Sequence, residues 1–257
     1  MRNQQQLMVW EQRWHPLREE WVTITSHRNT RPWSGTVAAR ETPGPVHDED
    51  CYLCPGNPRV SGQVNDDYGD LFVFDNDHPA FQLEAGELAD AYGIYQNRPA
   101  TGITRVICYA PQHNLTLAEL SVSQVRNLIT LWCDQTRELA AIPAINQVFI
   151  FENKGEVVGV SNPHPHGQIY ATATPFKAME TETRAQEKYY RQMGRGLVGD
   201  IIASEREDGR RLVVDKEHCL AFVPWFARFP YETFITPQRA VPFIHYLDEP
   251  ALDDLAA

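Results

Sequence analysis

The chain has 257 residues, 42% of them hydrophobic and 22% charged, a profile that fits a globular protein with a core and excludes a disordered or fibrous one. Its formal net charge of −11 disfavours nucleic acid as a partner, since phosphates select basic surfaces. It leaves room for a small anionic ligand, because beyond a Debye length an acidic surface is screened and a few local arginines decide. The opening MRNQQQLMVWEQRW lacks the apolar stretch of a signal peptide, and no apolar run reaches the length of a membrane span. Of the five cysteines only Cys51 and Cys54 are close in sequence, so a disulfide framework is not expected and a reducing cytoplasm is.

In chain order, residues 1–70 are rich in turn formers (TRPWSG, ETPGPV, CPGNPRVSG), with one short strand expected near WVTIT. DLFVFDND (70–77), TRVICYA (104–110), NQVFIFEN (146–153) and GQIYATAT (167–174) are rich in β-branched and aromatic residues and predict strands. Between the second and third, Thr116 and Glu119 form a capping-box pattern. Val125, Leu128, Ile129, Trp132 and Leu139 then recur at helical spacing until Pro143. Residues 179–193 predict a polar surface helix.

A weak internal repeat runs through this order. LFVFDNDHPAF followed by RVICYAPQHNLTLAEL has a counterpart in CLAFVPWFARFPYETFITPQRAVPFIHYLDEPAL: an apolar strand, a Pro-containing turn, a second strand ending in APQ or TPQ, then a leucine-bearing helix start. The pattern predicts a duplicated architecture, with a first half over 1–195 and a second, incomplete half over 196–257 that stops at Ala257 where its helix should begin. Two unrelated hairpins are the alternative.

The segment SNPHPHGQIYA (161–171) carries the chemistry. In extended backbone, alternate residues share a face, so His164, His166 and Gln168 are expected to point one way. Pro163 and Pro165 cannot donate to a ladder, which places the start of the segment at a sheet edge or outside it. Two stiffened histidines on one face point to metal or phosphate chemistry, against the alternative of a surface loop with incidental histidines. Cys51 and Cys54 form a C-x-x-C in a Pro/Gly-rich loop. A redox motif of that spacing sits between strand and helix, so zinc is the leading reading, and two more ligands are needed. Cys108, Cys133 and Cys219 lie in apolar surroundings and are expected in the core.

FENKGEVVGVSNPHPHGQIYA resembles the signature of the galactose-1-phosphate uridylyltransferase family, the transferase branch of the histidine-triad superfamily. SHRNTRPW, CYLCPGNPRVSG, FVFDNDHPAF, GITRVICYAPQHNLTLAEL and PWFARFPYETFITPQ match that family in the same order, from about residue 10 onward. The resemblance implies an α+β fold, a duplicated histidine-triad arrangement of antiparallel sheet with helices on one face. It implies ping-pong uridylyl transfer between UDP-glucose and galactose-1-phosphate, with His166 as nucleophile and Gln168 donating to the phosphoryl oxygens. Hydrolytic relatives carry a third histidine at that position. The resemblance also implies one structural zinc site of Cys51, Cys54, His113 and His164.

At the nucleotide, the matched residues are Arg28 and Arg31, which reach in from a partner subunit, with Asn153, Gly159 and Ser161 at the phosphates. Asn76 and Asp77 match positions that hold ribose and base, and Val60 one that lines the pocket. A homodimer is implied. Glu182 matches one ligand of a second metal, iron or zinc, whose three histidines have no counterpart here; that site is expected to be absent. A related nucleotidyl hydrolase or phosphorylase, and a weakly active zinc-stabilised fragment, are the competing functional expectations. Hexose specificity is not readable, because the residues that grip the sugar belong to the second half.

Overall fold

Alternation along one strand organises the part of the fold that carries the site. The computed structural model describes residues 10–25, 44–155, 158–160 and 162–257. Strands β1 (Trp10–His15) and β2 (Glu20–Thr25) form a hairpin; β3 (Phe72–Asp75), β4 (Gly102–Cys108), β5 (Gln147–Phe151) and β6 (His166–Thr172) form a four-stranded sheet in the order β3-β4-β6-β5. Helix α1 (Val122–Ala140) lies between β4 and β5, and α2 (Lys177–Met193) and α3 (Leu197–Asp208) follow β6. Strands β7 (Leu212–Asp215), β8 (Cys219–Phe222) and β9 (Phe234–Pro237) make a third sheet, and α4 (Glu249–Ala256) closes the described chain. Every strand pairing in these sheets is antiparallel. The expected α+β class therefore holds at the level of antiparallel sheets with four helices among the described residues. None of those helices is long and apolar enough to cross a membrane.

The chain divides into two compact units, residues 1–41 with 176–240, and residues 42–175 with 241–257. In the second, Ile107 of β4 and Tyr109 just past its end join Ile169 and Ala171 of β6 and Leu128 and Leu139 of α1 in one buried cluster. Their neighbours Val106 and Cys108 face the opposite way, into a cluster with Cys51, Leu53, Cys54 and Tyr68. The two-residue period thus puts the helix on one face of the sheet and the C-x-x-C loop on the other. Each fully buried aliphatic of the α1 stripe contributes about 1.5–3 kcal/mol.

Two boundaries differ from the sequence expectation. The Thr116/Glu119 capping box closes a 3₁₀ turn at Leu117–Glu119, and α1 starts on a second box, Ser121 with Gln124. The second repeat stretch does not stop short of its helix: Asp248 accepts from the Ala251 N–H at 3.2 Å and α4 follows for eight residues. Leu252 of α4 packs on Ile129 and Cys133 of α1. β3–β4 and β8–β9 are each an antiparallel pair followed by a 3₁₀ turn and a helix. In the first unit, Ile202 of α3 packs on Leu220 and Phe222 of β8. Cys108, Cys133 and Cys219 are buried free thiols, as expected.

Candidate active site and metal centre

The C-x-x-C loop is a hydrogen-bonded knuckle. The Cys54 N–H donates to the Cys51 carbonyl at 3.2 Å, and the Leu53 N–H to Cys51 Sγ at 3.3 Å. Asn57 Nδ2 ties the loop by donating to the carbonyls of Asp48 and Cys51, and Asn65 Nδ2 by donating to those of Tyr52 and Cys54. His113 reaches this knuckle from the turn after β4, and His164 from the bend before β6. The ligand atoms of Cys51, Cys54, His113 and His164 lie within 4.8 Å of one another, and all four residues are buried. Among the described residues, this is the group of Cys, His and carboxylate side chains able to hold a metal ion.

The hydrogen bonds around the four fix their lone pairs. His164 Nε2 lies 3.0 Å from the Ala110 carbonyl and 3.1 Å from Tyr68 Oη. A carbonyl only accepts, so Nε2 carries the proton and Nδ1, 3.5 Å from Cys54 Sγ, is bare. His113 presents Nδ1 to Cys54 Sγ at 3.6 Å and has the Asp48 carboxylate 3.8 Å from Nε2. Asn162 Nδ2 donates to Cys51 Sγ at 3.3 Å, and its Oδ1 accepts from the His164 N–H at 3.0 Å. Burial pushes His164 down to about 4, so its ring is a neutral donor at pH 7. Burial pushes the Cys54 thiol up to about 11, a cost that a bound cation removes.

His164 and His166 both face the side of the sheet that carries the C-x-x-C loop. The prolines hold Asn162–Pro165 out of the strand, and β6 begins at His166. Pro165 still accepts: its carbonyl takes the Tyr109 N–H at 2.9 Å and extends the β4–β6 ladder by one bond. From His166 the alternation holds, so His166 and Gln168 face a cavity of 280 Å³ on the same side of the sheet as the C-x-x-C loop. Gly167, between them, sits where the Tyr109 ring crosses the strand; a Cβ there would meet Tyr109 Oη at 2.1 Å. His166 Nδ1 lies 2.7 Å from the His164 carbonyl oxygen, so Nδ1 holds the proton and Nε2 keeps its lone pair. Burial lowers the His166 pKa, which also favours the uncharged ring.

A residue order of Cys-x-x-Cys, Asn-Asp, His and His-Pro-His-Gly-Gln that closes on one buried ligand set and one adjoining cavity is specific enough to compare with known families. Residues 2–175 match the profile described as galactose-1-phosphate uridyl transferase, N-terminal domain. The chain belongs to the galactose-1-phosphate uridyl transferase family. The galactose-1-phosphate uridylyltransferase of Haemophilus influenzae is 38% identical over 247 residues, covering 95% of this chain and 70% of that protein. The rat enzyme of the same name is 37% identical over 247 residues, 95% of this chain and 65% of its own length. A solved structure titled as a uridylyltransferase superposes with a TM-score of 0.73 at 26% identity, covering 96% of this chain and 72% of that one.

On this member of the family, the cavity collects Val60, Asn76, Asp77, Asn153, Gly159, His166 and Gln168 of the sequence-predicted residues. Arg28, Arg31 and Ser161 lie outside the described residues. Glu182 is on α2, with its carboxylate 3.7 Å from Arg18 and its pKa raised by burial. Asn76 has a turn role as well, its Oδ1 accepting from the His78 N–H at 2.8 Å. Sequence reasoning did not single out Tyr52, Leu53, Phe74, His78, Val106 and Val160, which line the cavity too. The signal for Phe74 and Val106 was the strand period: they share a face with the C-x-x-C loop.

Proposed function

We propose that the chain transfers a uridylyl group between UDP-glucose and galactose-1-phosphate through a uridylyl-histidine intermediate on His166. His166 Nε2 attacks the α-phosphorus; the bond from that phosphorus to the bridging oxygen breaks, and glucose-1-phosphate leaves with the electron pair. A phosphate oxygen of galactose-1-phosphate then attacks the same phosphorus, the P–N bond breaks, and His166 is released neutral with UDP-galactose. The ring is positively charged while the uridylyl group is attached, and the His164 carbonyl, accepting from Nδ1, stabilises that charge. Gln168 donates to the phosphoryl oxygens from two residues along the strand and supplies neither acid nor base. Asn153 and Gly159, with Arg28, Arg31 and Ser161, hold the phosphates, and Arg28 and Arg31 come from the partner of a homodimer. Asn76, Asp77 and Val60 hold the nucleoside.

The metal we assign is zinc, in a structural role. A tetrahedral zinc with Zn–S of about 2.3 Å and Zn–N of about 2.0–2.1 Å sets S···N edges of about 3.6 Å, and the Cys54–His164 and Cys54–His113 separations are 3.5 and 3.6 Å. Four protein ligands fill the shell, so the ion supplies rigidity and leaves no position for substrate. We extend the same reading to the repeat: halves meeting near residue 195, each built on a histidine-triad-like pair of strands, with the activity in a cytoplasmic enzyme.

The observation that carries the reading is the tautomer of His166, bare at Nε2 beside a cavity lined by Gln168, Asn76 and Asp77. The test is incubation with labelled UDP-glucose and recovery of an acid-labile, base-stable adduct on His166. A folded, metal-loaded chain that forms no adduct overturns it.

A further inference from the structure

Arg59 lies outside the ligands named above, yet it is packed against two of the cavity's walls. Its guanidinium carbon sits over the Phe74 ring, 4.2 Å from the centroid, and its Nε is 3.6 Å from Asp77 Oδ1. The arginine side chain is 8% exposed and Asp77's is 13%. Nε is buried and makes no hydrogen bond, an expensive state for a charged donor. The backbone explains how the side chain is held. Residues 59–63 form a tight turn, with the Arg59 N–H donating to the Gln63 carbonyl at 2.7 Å and the Gly62 N–H to the Arg59 carbonyl at 2.9 Å. Gly62 has φ +85°, which a glycine adopts without strain. One guanidinium nitrogen of Arg59 also donates to Gln63 Oε1.

The same turn grips Asp77 a second time. The Ser61 N–H donates to Asp77 Oδ2 at 3.2 Å, so one carboxylate oxygen faces a backbone amide and the other a guanidinium. Val60, between the two gripping residues, lines the cavity together with Asp77 and Phe74. Each carboxylate oxygen still has a lone pair to offer. A carboxylate fixed in this way matches a vicinal diol, which presents two O–H donors side by side, and it offers nothing to a deoxyribose at the missing hydroxyl.

We propose that Arg59 is a positioning residue: with the Ser61 amide it orients Asp77 toward the ribose diol of the nucleotide, and so makes the site select ribonucleotides over deoxyribonucleotides. This rests on the cavity being the nucleotide site. Closing the 3.6 Å gap when a diol draws on the carboxylate would also give the Arg59 Nε–H the acceptor it lacks.

The test is the first half-reaction, adduct formation on His166 from UDP-glucose and from its 2′-deoxyribose analogue, in the wild-type chain, Arg59→Met and Arg59→Lys. In Arg59→Met the concentration of UDP-glucose giving half-maximal rate is expected to rise about tenfold, the loss of one charge-assisted contact, with the maximal rate changed by less than about twofold. The analogue is expected to change less, so that the ribose-to-deoxyribose ratio falls, and Arg59→Lys is expected to restore part of it. Zinc content and melting temperature serve as the structural control. An unchanged ratio in Arg59→Met overturns the inference. So does a ratio that moves only alongside loss of zinc and of melting temperature in both variants. A wild-type chain that forms no adduct with either sugar removes the functional proposal itself, a different result from an active wild type indifferent to Arg59.

Discussion

His166 Nδ1 and the His164 carbonyl oxygen are 2.7 Å apart, while the His164 ring points away toward Cys54. One residue therefore does two things: its side chain joins the candidate metal set, and its main chain fixes the tautomer of the proposed nucleophile two positions on. Removing the nucleophile should separate these roles. His166→Ala is expected to lose the uridylyl adduct and at least about a thousandfold in transfer rate, while keeping its metal. The measurement is adduct yield beside metal content on the same preparation. An adduct that persists in the variant would move the nucleophile elsewhere.

The metal set should act on stability before it acts on chemistry. Four buried ligands without an ion leave a high-pKa thiol and a neutral imidazole facing each other, and they lose the cross-link between the loop, the turn after β4 and the bend before β6. Cys54→Ser, or a strong chelator, is expected to lower the melting temperature sharply and to abolish adduct formation by freeing the His166 approach. Cobalt reconstitution should give the absorption of a thiolate-bound tetrahedral ion, with protons released on binding at pH 7. A chelated chain with unchanged melting and unchanged adduct rate would reduce the four to a coincidence of packing.

Much of this site was legible in the chain before its fold. C-x-x-C and His-Pro-His-Gly-Gln carry their chemistry in their residue types, and β-strand alternation placed His166 and Gln168 together. What alternation could not show is where the strand starts: the prolines delay β6 to His166, so His164 lies in the bend before it, from which its ring reaches Cys54. Tyr52 and Leu53 reach the cavity because the knuckle carries them there, which no periodicity records. β1 was missed because WEQRWH mixes charge with half-exposed tryptophans, and its pairing with β2 supplies the order that its composition does not. α3 was not predicted: Gly196 and Gly199 weaken its helical signal, and packing of Val198, Ile201 and Ile202 on the third sheet holds it.

Gly167 tests how closely the Tyr109 ring packs over β6. A Cβ at this position would sit 2.1 Å from Tyr109 Oη, 2.9 Å from Cζ and 3.0 Å from the Phe151 carbonyl oxygen. Gly167→Ala is expected to cost about 1–3 kcal/mol and to displace His166. Adding Tyr109→Phe removes the nearest clash and should recover part of that loss, a coupling visible in a double-mutant cycle by chemical denaturation. Strict additivity would mean that the tyrosine is not the obstacle.

His15 offers a pH handle in the first unit. It is 1% exposed, its ring packs tilted against Phe226 with centroids 4.3 Å apart, and its Nδ1 accepts from the Arg18 N–H at 3.2 Å. Burial, and then the Arg18 charge, lower its pKa below the ordinary 6.5. The unfolded chain therefore takes up a proton first as pH falls, and the stability that neutral His15 supports is complete above pH 6.5 and lost progressively below it. His15→Asn keeps an acceptor and cannot titrate. Its melting temperature should fall less steeply than the wild type's between pH 7 and pH 5, and parallel slopes would show that His15 does not couple to folding.

Gln168 is the residue we propose to favour transfer over hydrolysis. It shares the cavity with His166, across the ladder from Val106 on one side and Phe151 on the other, and it can donate to a phosphoryl oxygen without delivering a proton to a leaving group. An imidazole at the same point could activate water or protonate the departing sugar phosphate. Gln168→His is therefore expected to release UMP from the adduct faster, so that UDP-glucose is hydrolysed where the wild type waits for a second hexose phosphate. The decisive quantity is the rate of adduct breakdown in the absence of acceptor. If that rate is the same in both proteins, protection of the intermediate comes from the exclusion of water by the cavity walls, and the amide serves only to hold the phosphate.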